Sequence, residues 1–374
     1  MELTLEQKSA VESNYATTVV VAGAGSGKTR VLTERAKFLL NSGVKPENLY
    51  MITYTNNAAQ EMYDRLSDCK DFDKVFIGTI HSLAAQILSI NKIQLSNIIK
   101  KAVETEDFDI LFREVQKHLD NLFIPSIEHL LVDEFQDICP NEYSFIKTVL
   151  HPENIYVVGD PRQSIYSFKG ATPKFFNQLY NDPYAGVFEL TENFRNKFNI
   201  IYHAQQAIKD LPEADLTETI PVREGRAMIS SMPYNLDEVA RLLKNRGDFK
   251  DWFVLARSNK LLNEIADKLY DYDVPYVTFR QSEKTNAEIK ALMEQDVVKL
   301  LTIHSSKGLE SKRVILFENY QGNPRWSQDE RDEAKRLRYV GITRAKDELI
   351  LVKQPSKRKS SAKSKRNDDV LVWG

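Results

Sequence analysis

An α/β protein built from two parallel-sheet domains is predicted from three observations. Short apolar, β-branched runs alternate with helical segments along most of the chain. One run, Val19-Val20-Val21-Ala22, passes through a glycine-rich turn into a helical pattern, the strand–loop–helix unit of such a sheet. The length, 374 residues, exceeds what one core comfortably organises.

In the first half the predicted strands are Thr18–Ala22, Leu49–Tyr54, Val75–Gly78, His129–Asp133 and Ile155–Gly159, each followed by a polar cluster and a helix. Ligands of open parallel sheets bind beyond the carboxyl ends of the strands, where these clusters fall. Residues 82–128 read as a small helical insertion, with Glu104–Asp109 as a loop. A second series begins near residue 188, with strands predicted at Ala227–Ser230, Trp252–Ala256, Val274–Phe279, Val298–Ile303, Val314–Phe317 and Glu348–Val352. It holds no second glycine-rich loop, so it is expected to act as a partner domain. The expected boundaries are 1–187 and 188–354, followed by a basic, solvated tail at 355–374 that includes Lys357-Arg358-Lys359.

The net charge is −2, so a polyanion would have to be held by a local stripe. Cys69 and Cys139 are the only cysteines, which excludes a disulfide framework and a cysteine-rich metal site. None of the histidines has zinc spacing. No apolar stretch reaches membrane-spanning length and residues 1–10 lack a signal pattern, so the expectation is a soluble, cytoplasmic protein without a membrane partner.

The glycine-rich turn reads Ala22-Gly23-Ala24-Gly25-Ser26-Gly27-Lys28-Thr29-Arg30. Its glycines let backbone amides approach phosphate oxygens at a helix N-terminus, where the dipole favours anions. Lys28 would reach the β- and γ-phosphates of a nucleotide, and the Thr29 hydroxyl would ligate Mg²⁺. Ala22 stands where the strict spelling has glycine, a small departure. A later strand ends in Asp133-Glu134-Phe135-Gln136-Asp137. There Asp133 would hold Mg²⁺ through its water shell, and Glu134 would orient or deprotonate the water attacking the γ-phosphate. The next strand runs into Gly159–Ala171, with polar Asp160 and Gln163 followed by Tyr166, Phe168 and Lys169. Aromatic faces there could stack nucleobases, worth roughly 1–3 kcal/mol per base, with Lys169 as a phosphate partner.

Taken together, these segments resemble the superfamily 1 helicases of the UvrD, Rep and PcrA type, in that family's order over nearly the whole chain. Leu3–Val11 resembles the glutamine motif, with Gln7 reading adenine. Thr53–Ala59 and Gly78–Ser82 resemble the early DNA-contact motifs, Leu190–Arg195 the fourth motif, Thr302–Glu310 the fifth and Tyr339–Ala345 the sixth. The resemblance implies two RecA-like domains of a P-loop NTPase motor that uses ATP and Mg²⁺. It implies that Arg195 and Arg344 neutralise charge on the transferring phosphoryl group from the second domain, and that Gln163 senses the γ-phosphate. Phe194 would stack on adenine where many relatives have tyrosine, and Arg30 and Glu310 would contact base and ribose. For single-stranded DNA the pattern points to Tyr54, Thr79, His81, Tyr166, Phe168, Lys169, Arg257, Asn259 and His304.

Larger members carry two helical accessory domains. Here the first has only residues 82–128, and at the second about twenty residues join Tyr276 to Val298. The expected function is a minimal, monomeric 3′→5′ single-stranded DNA translocase or helicase. The alternative is a DNA-binding module that uses ATP as a switch.

Overall fold

The computed structural model describes residues 2–279, 284–318 and 326–353. The expected basic tail lies outside the described residues.

The first lobe is a six-stranded parallel sheet. Its strands are β1 (Thr17–Ala22), β2 (Leu49–Ile52), β3 (Phe76–Gly78), β4 (His129–Val132), β5 (Asn154–Gly159) and β6 (Gly186–Leu190), in the order β3-β2-β4-β5-β1-β6. Alternate residues enter different cores, as the two-residue period of a strand requires. Val19, Val21, Leu130, Val132 and Val157 pack on one face, and Val20, Ala22, Leu131, Tyr156 and Val158 on the other. Burial on both faces explains why these strands read as continuous apolar runs.

The insertion is helical, with helices Ile80–Ile90, Leu95–Thr105 and Ile110–Lys117. The second of these runs through Glu104 and Thr105, so the expected loop is shorter than Glu104–Asp109. Leu111, Phe112 and Val115 join the first lobe's core, so the insertion is packed onto the sheet.

The chain crosses between lobes through two short strands, β7 (Glu192–Lys197) and β8 (Ile220–Arg223), which among the described residues pair only with each other. The second sheet comprises β9 (Met228–Pro233), β10 (Trp252–Ala256), β11 (Tyr276–Thr278), β12 (Val298–Thr302), β13 (Ser311–Glu318) and β14 (Ala345–Lys353), again all parallel, in the order β11-β12-β10-β13-β14-β9. The expected boundary at 187/188 therefore falls inside β6, a strand of the first sheet. Strands β6, β7 and β8 were not foreseen. Glu192–Lys197 is too polar to announce a strand, and it forms one at the seam between lobes.

Ile165 lies in the apolar core of the second lobe although it follows a first-lobe strand. The segment after β5 is thus anchored in both halves. Between β11 and β12 the described residues hold one short helix, Asn286–Glu294.

Candidate active site and nucleic-acid interface

The glycine-rich turn leaves β1 at the carboxyl edge of the first sheet and enters the helix Lys28–Asn41. Gly25 and Gly27 hold φ of 76° and 90°, a region that side chains with a Cβ rarely adopt. A Cβ on Gly27 would meet the Gln7 amide at 2.9 Å. Gln7 is buried and donates from Nε2 to the Ser26 carbonyl at 3.0 Å, which ties the first helix to the loop. Lys28 donates from Nζ to the Ala22 carbonyl at 3.1 Å. Burial pushes its ammonium below the usual lysine range, against the pull of Glu134, Asp160 and Asp133.

Strand β4 ends beside this loop. The Asp133 carboxylate accepts from the Glu134 amide at 3.0 Å, and burial, then the neighbouring Glu134 charge, pushes it up from its ordinary value. Glu134 stands at φ 49°, a left-handed conformation uncommon for a residue with a Cβ. Burial works against its ionisation, but Lys307 and then Lys28 outweigh that and hold the carboxyl below its usual range.

A buried polar chain leads onward. Gln136 donates from Nε2 to Glu134 Oε2 at 2.5 Å, while its Oε1 accepts from the Asp160 amide at 2.9 Å. The Asp160 carboxylate in turn accepts from Gln163 Nε2 at 2.8 Å and from Arg162 Nε at 2.7 Å. Glu134 and Gln163 are therefore two hydrogen-bonded side chains apart. Networks of this kind polarise and orient their members only when every link is satisfied.

The second lobe completes the cavity. Gly23, Ala24, Gly25, Gly27, Lys28, Thr29, Arg30, Glu134 and Gln163 line it from one side, and Arg195, Gly308 and Arg344 from the other. Arg344 is buried, and the hydrogen bonds of its guanidinium run to neutral oxygens: the Val340 and Leu309 carbonyls and the Thr343 hydroxyl. Burial, then the neighbouring Arg195, brings it down to about 9. A cation so placed is complementary to an anion brought into the cavity. Arg195 donates from Nε to Glu310 Oε2 at 2.5 Å, and Lys346 pairs with the other oxygen. Phe194 donates its backbone N–H to the Gly25 carbonyl at 2.9 Å.

Comparison with known proteins finds matches in both lobes. Residues 3–123 and 91–184 match the UvrD/REP helicase N-terminal domain, and residues 280–356 match the UvrD-like helicase C-terminal domain. The chain belongs to the UvrD/Rep helicase family. It is 26% identical to a probable DNA helicase of Mycoplasma pneumoniae, over 94% of this chain and 83% of that protein. It is 26% identical to the putative ATP-dependent DNA helicase YjcD of Bacillus subtilis, over 74% of this chain and 49% of the relative. It is 24% identical to the ATP-dependent DNA helicase PcrA of Staphylococcus aureus, over 72% of this chain. It spans about half the length of the last two.

In this UvrD-type chain the residues expected to meet DNA fall into three places. Tyr54 and Tyr166 stack with ring centroids 4.9 Å apart, and Lys169 lies 5.3 Å from the Tyr54 ring. Phe168 stands edge-on to His304 at 5.4 Å and is 67% exposed, the open face of that group. His304 shares a hydrogen bond through Nε2 with the Ile165 carbonyl, and burial lowers its pKa. Arg257 lies 4.6 Å from the Trp326 ring, and Asn259 opens the helix Asn259–Asp271, both on the second lobe. Thr79 and His81 lie elsewhere. The Thr79 hydroxyl caps the helix Ile80–Ile90, and His81 packs on Phe112 near Asp109 and Glu142.

Sequence reasoning missed several residues. Lys307 reaches from the second lobe to Asp137, Glu134 and the Gln163 carbonyl. Arg65 lines the cavity, and Gln136 bridges two motifs. An amide between two carboxylates, as at Gln136, was the one local clue. Nothing local marks Lys307, whose partners lie some 140 to 170 positions away.

Proposed function

We propose that this chain is an ATP-driven motor on single-stranded DNA, with ATP bound at the seam and the strand laid across the aromatic group Tyr54–Tyr166–Phe168–His304. The observation that carries the reading is the shared cavity, to which one lobe brings Lys28, Glu134 and Gln163 and the other Arg195 and Arg344. Two oxygen donors, the Thr29 hydroxyl that lines the cavity and the Asp133 carboxylate beside Glu134, suit Mg²⁺. Among the described residues no cluster of three or more His, Cys, Asp or Glu converges on a metal, so phosphate and water oxygens would complete the shell. A bound Mg²⁺ would neutralise charge on the phosphates.

Glu134, ionised at neutral pH, would orient and accept a proton from the attacking water. Arg195 would leave Glu310 for the γ-phosphate, and Arg344 would offer its buried charge to the same group. Because both arginines belong to the far lobe, hydrolysis would require closure and would be followed by opening. The segment 159–171 would carry that change to the strand, since Gln163 lines the cavity and Phe168 is exposed beyond it. Movement 3′→5′ is expected from the likeness of Gln163–Tyr166 and Phe168–Ala171 to the UvrD branch.

The test is ATP hydrolysis with and without oligonucleotide. Strong stimulation by single-stranded DNA, abolished by Lys28→Ala or Glu134→Gln, is expected, and full DNA-independent turnover would overturn the reading. Oligonucleotides blocked at one end would report polarity: faster displacement from the 5′ end would reverse it. A second reading, an ATP-switched binding module, is favoured by the one short helix that the described residues hold between β11 and β12. Hydrolysis without separation of a tailed duplex would support it.

A further inference from the structure

Two buried asparagines of β7, Asn193 and Asn196, connect the phosphate loop to the residues that flank Arg344. Asn193 donates from Nδ2 to the Ala24 carbonyl at 2.7 Å and toward Asn196 Oδ1 at 3.2 Å. Its Oδ1 accepts from the backbone amides of Arg195 and Asn196. Asn196 donates from Nδ2 to the carbonyls of Thr343, at 3.0 Å, and Ala345, at 2.6 Å, the residues on either side of Arg344. One residue further along the loop, the Gly25 carbonyl accepts from Phe194, and a Cβ on Gly25 would stand 2.6 Å from Arg195 Cβ. Among the described residues strand β7 pairs only with β8 and lies outside both large sheets, so these side chains, rather than sheet pairing, register it against the loop.

We propose that Asn193 and Asn196 are positioning residues that hold the phosphate loop in register with Arg344, so that opening of the lobes loosens the loop and releases spent nucleotide. The inference rests on the nucleotide-seam reading and deepens it. The second lobe does more than deliver guanidinium groups to the triphosphate: it restrains the peptide units that cradle it. Both carbonyls it takes, Ala24 and Gly25, belong to peptide groups whose amides lie in the cradle. Closure makes both restraints together and opening breaks them together.

The experiment is stopped-flow release of a fluorescent ADP together with steady-state ATP hydrolysis, on the wild type and on Asn193→Asp. The substitution keeps the two acceptor bonds of the side chain and replaces the amide that donates to Ala24 and toward Asn196 with a carboxylate oxygen. ADP release and KM for ATP are expected to rise about tenfold while kcat at saturating ATP changes less than about threefold, the cost of one buried donor lost against a carbonyl. Asn193→Ser, which takes away the amide N–H that reaches Ala24 and adds no charge, should shift both in the same direction and serves where the aspartate variant fails to unfold cooperatively. Unchanged release and KM in both variants would overturn the proposal, as would an equal collapse of kcat. A wild type that binds no fluorescent ADP would instead sink the nucleotide-seam reading beneath it.

Discussion

Lys307 Nζ and Glu134 Oε2 lie 3.5 Å apart, although one belongs to each lobe. The same ammonium pairs with Asp137, and its charge is the main reason the Glu134 carboxyl stays ionised despite burial. The residue expected to activate water therefore depends on the opposite lobe for its protonation state. Lys307→Met should strand two carboxylates in a dry seam. Removing one member of a buried pair costs about 3–5 kcal/mol, so urea unfolding should show a loss near that size together with reduced kcat. A loss below about 1 kcal/mol would show that water relieves the carboxylates.

Arg344→Lys should not restore activity. A lysine carries the charge but cannot span the Val340, Leu309 and Thr343 oxygens and still present a planar fork to phosphate. A fall in kcat of about 10³-fold or more with ATP binding retained is expected, by the scale of arginine fingers. Single-turnover hydrolysis beside equilibrium nucleotide binding separates the two effects.

Gly25→Ala and Gly308→Ala place the same strain in different surroundings. Both glycines have φ near 80°, but a Cβ at Gly25 would strike Arg195 whereas at Gly308 nothing lies within 4 Å. Gly308→Ala should cost only the backbone penalty, about 1 kcal/mol. Gly25→Ala should push β7 from the loop and abolish hydrolysis. Equal effects on activity would argue against a closed seam.

Phe168→Ala should weaken single-strand binding by roughly 1–3 kcal/mol in fluorescence anisotropy and leave thermal stability nearly unchanged, because the ring is exposed. Tyr54→Ala removes a ring packed on Tyr166 and should lower both.

His304 carries a pH prediction. Burial lowers its pKa, so the folded protein binds its proton less readily than the unfolded chain does. Its contribution to stability is present above the unfolded value of about 6.5 and is lost as pH falls below it. Urea midpoints at pH 7.5 and 5.5 should therefore differ more in the wild type than in His304→Gln. Equal differences would place the acid sensitivity elsewhere.

How much of this could be read from the sequence depends on range. Val19–Arg30, Ile127–Asp137 and Gly159–Ala171 announce their strands and turns because the signals are local: apolar period, glycine at positive φ, polar residues at strand ends. The five strands expected in the first lobe and the six expected in the second lay within a few residues of expectation for the same reason. By itself the sequence determined the parallel-sheet class and the residues of the phosphate loop, and the order of its motifs assigned it to a family. Only the tertiary structure decided that Glu192–Lys197 is a strand, that Lys307 faces Glu134, and that Asn193 holds Ala24. The last two contacts join segments more than a hundred residues apart, and they form only after two independently built sheets have met. Pairings across a seam have no period in the chain, since what selects them is the removal of water from between two surfaces.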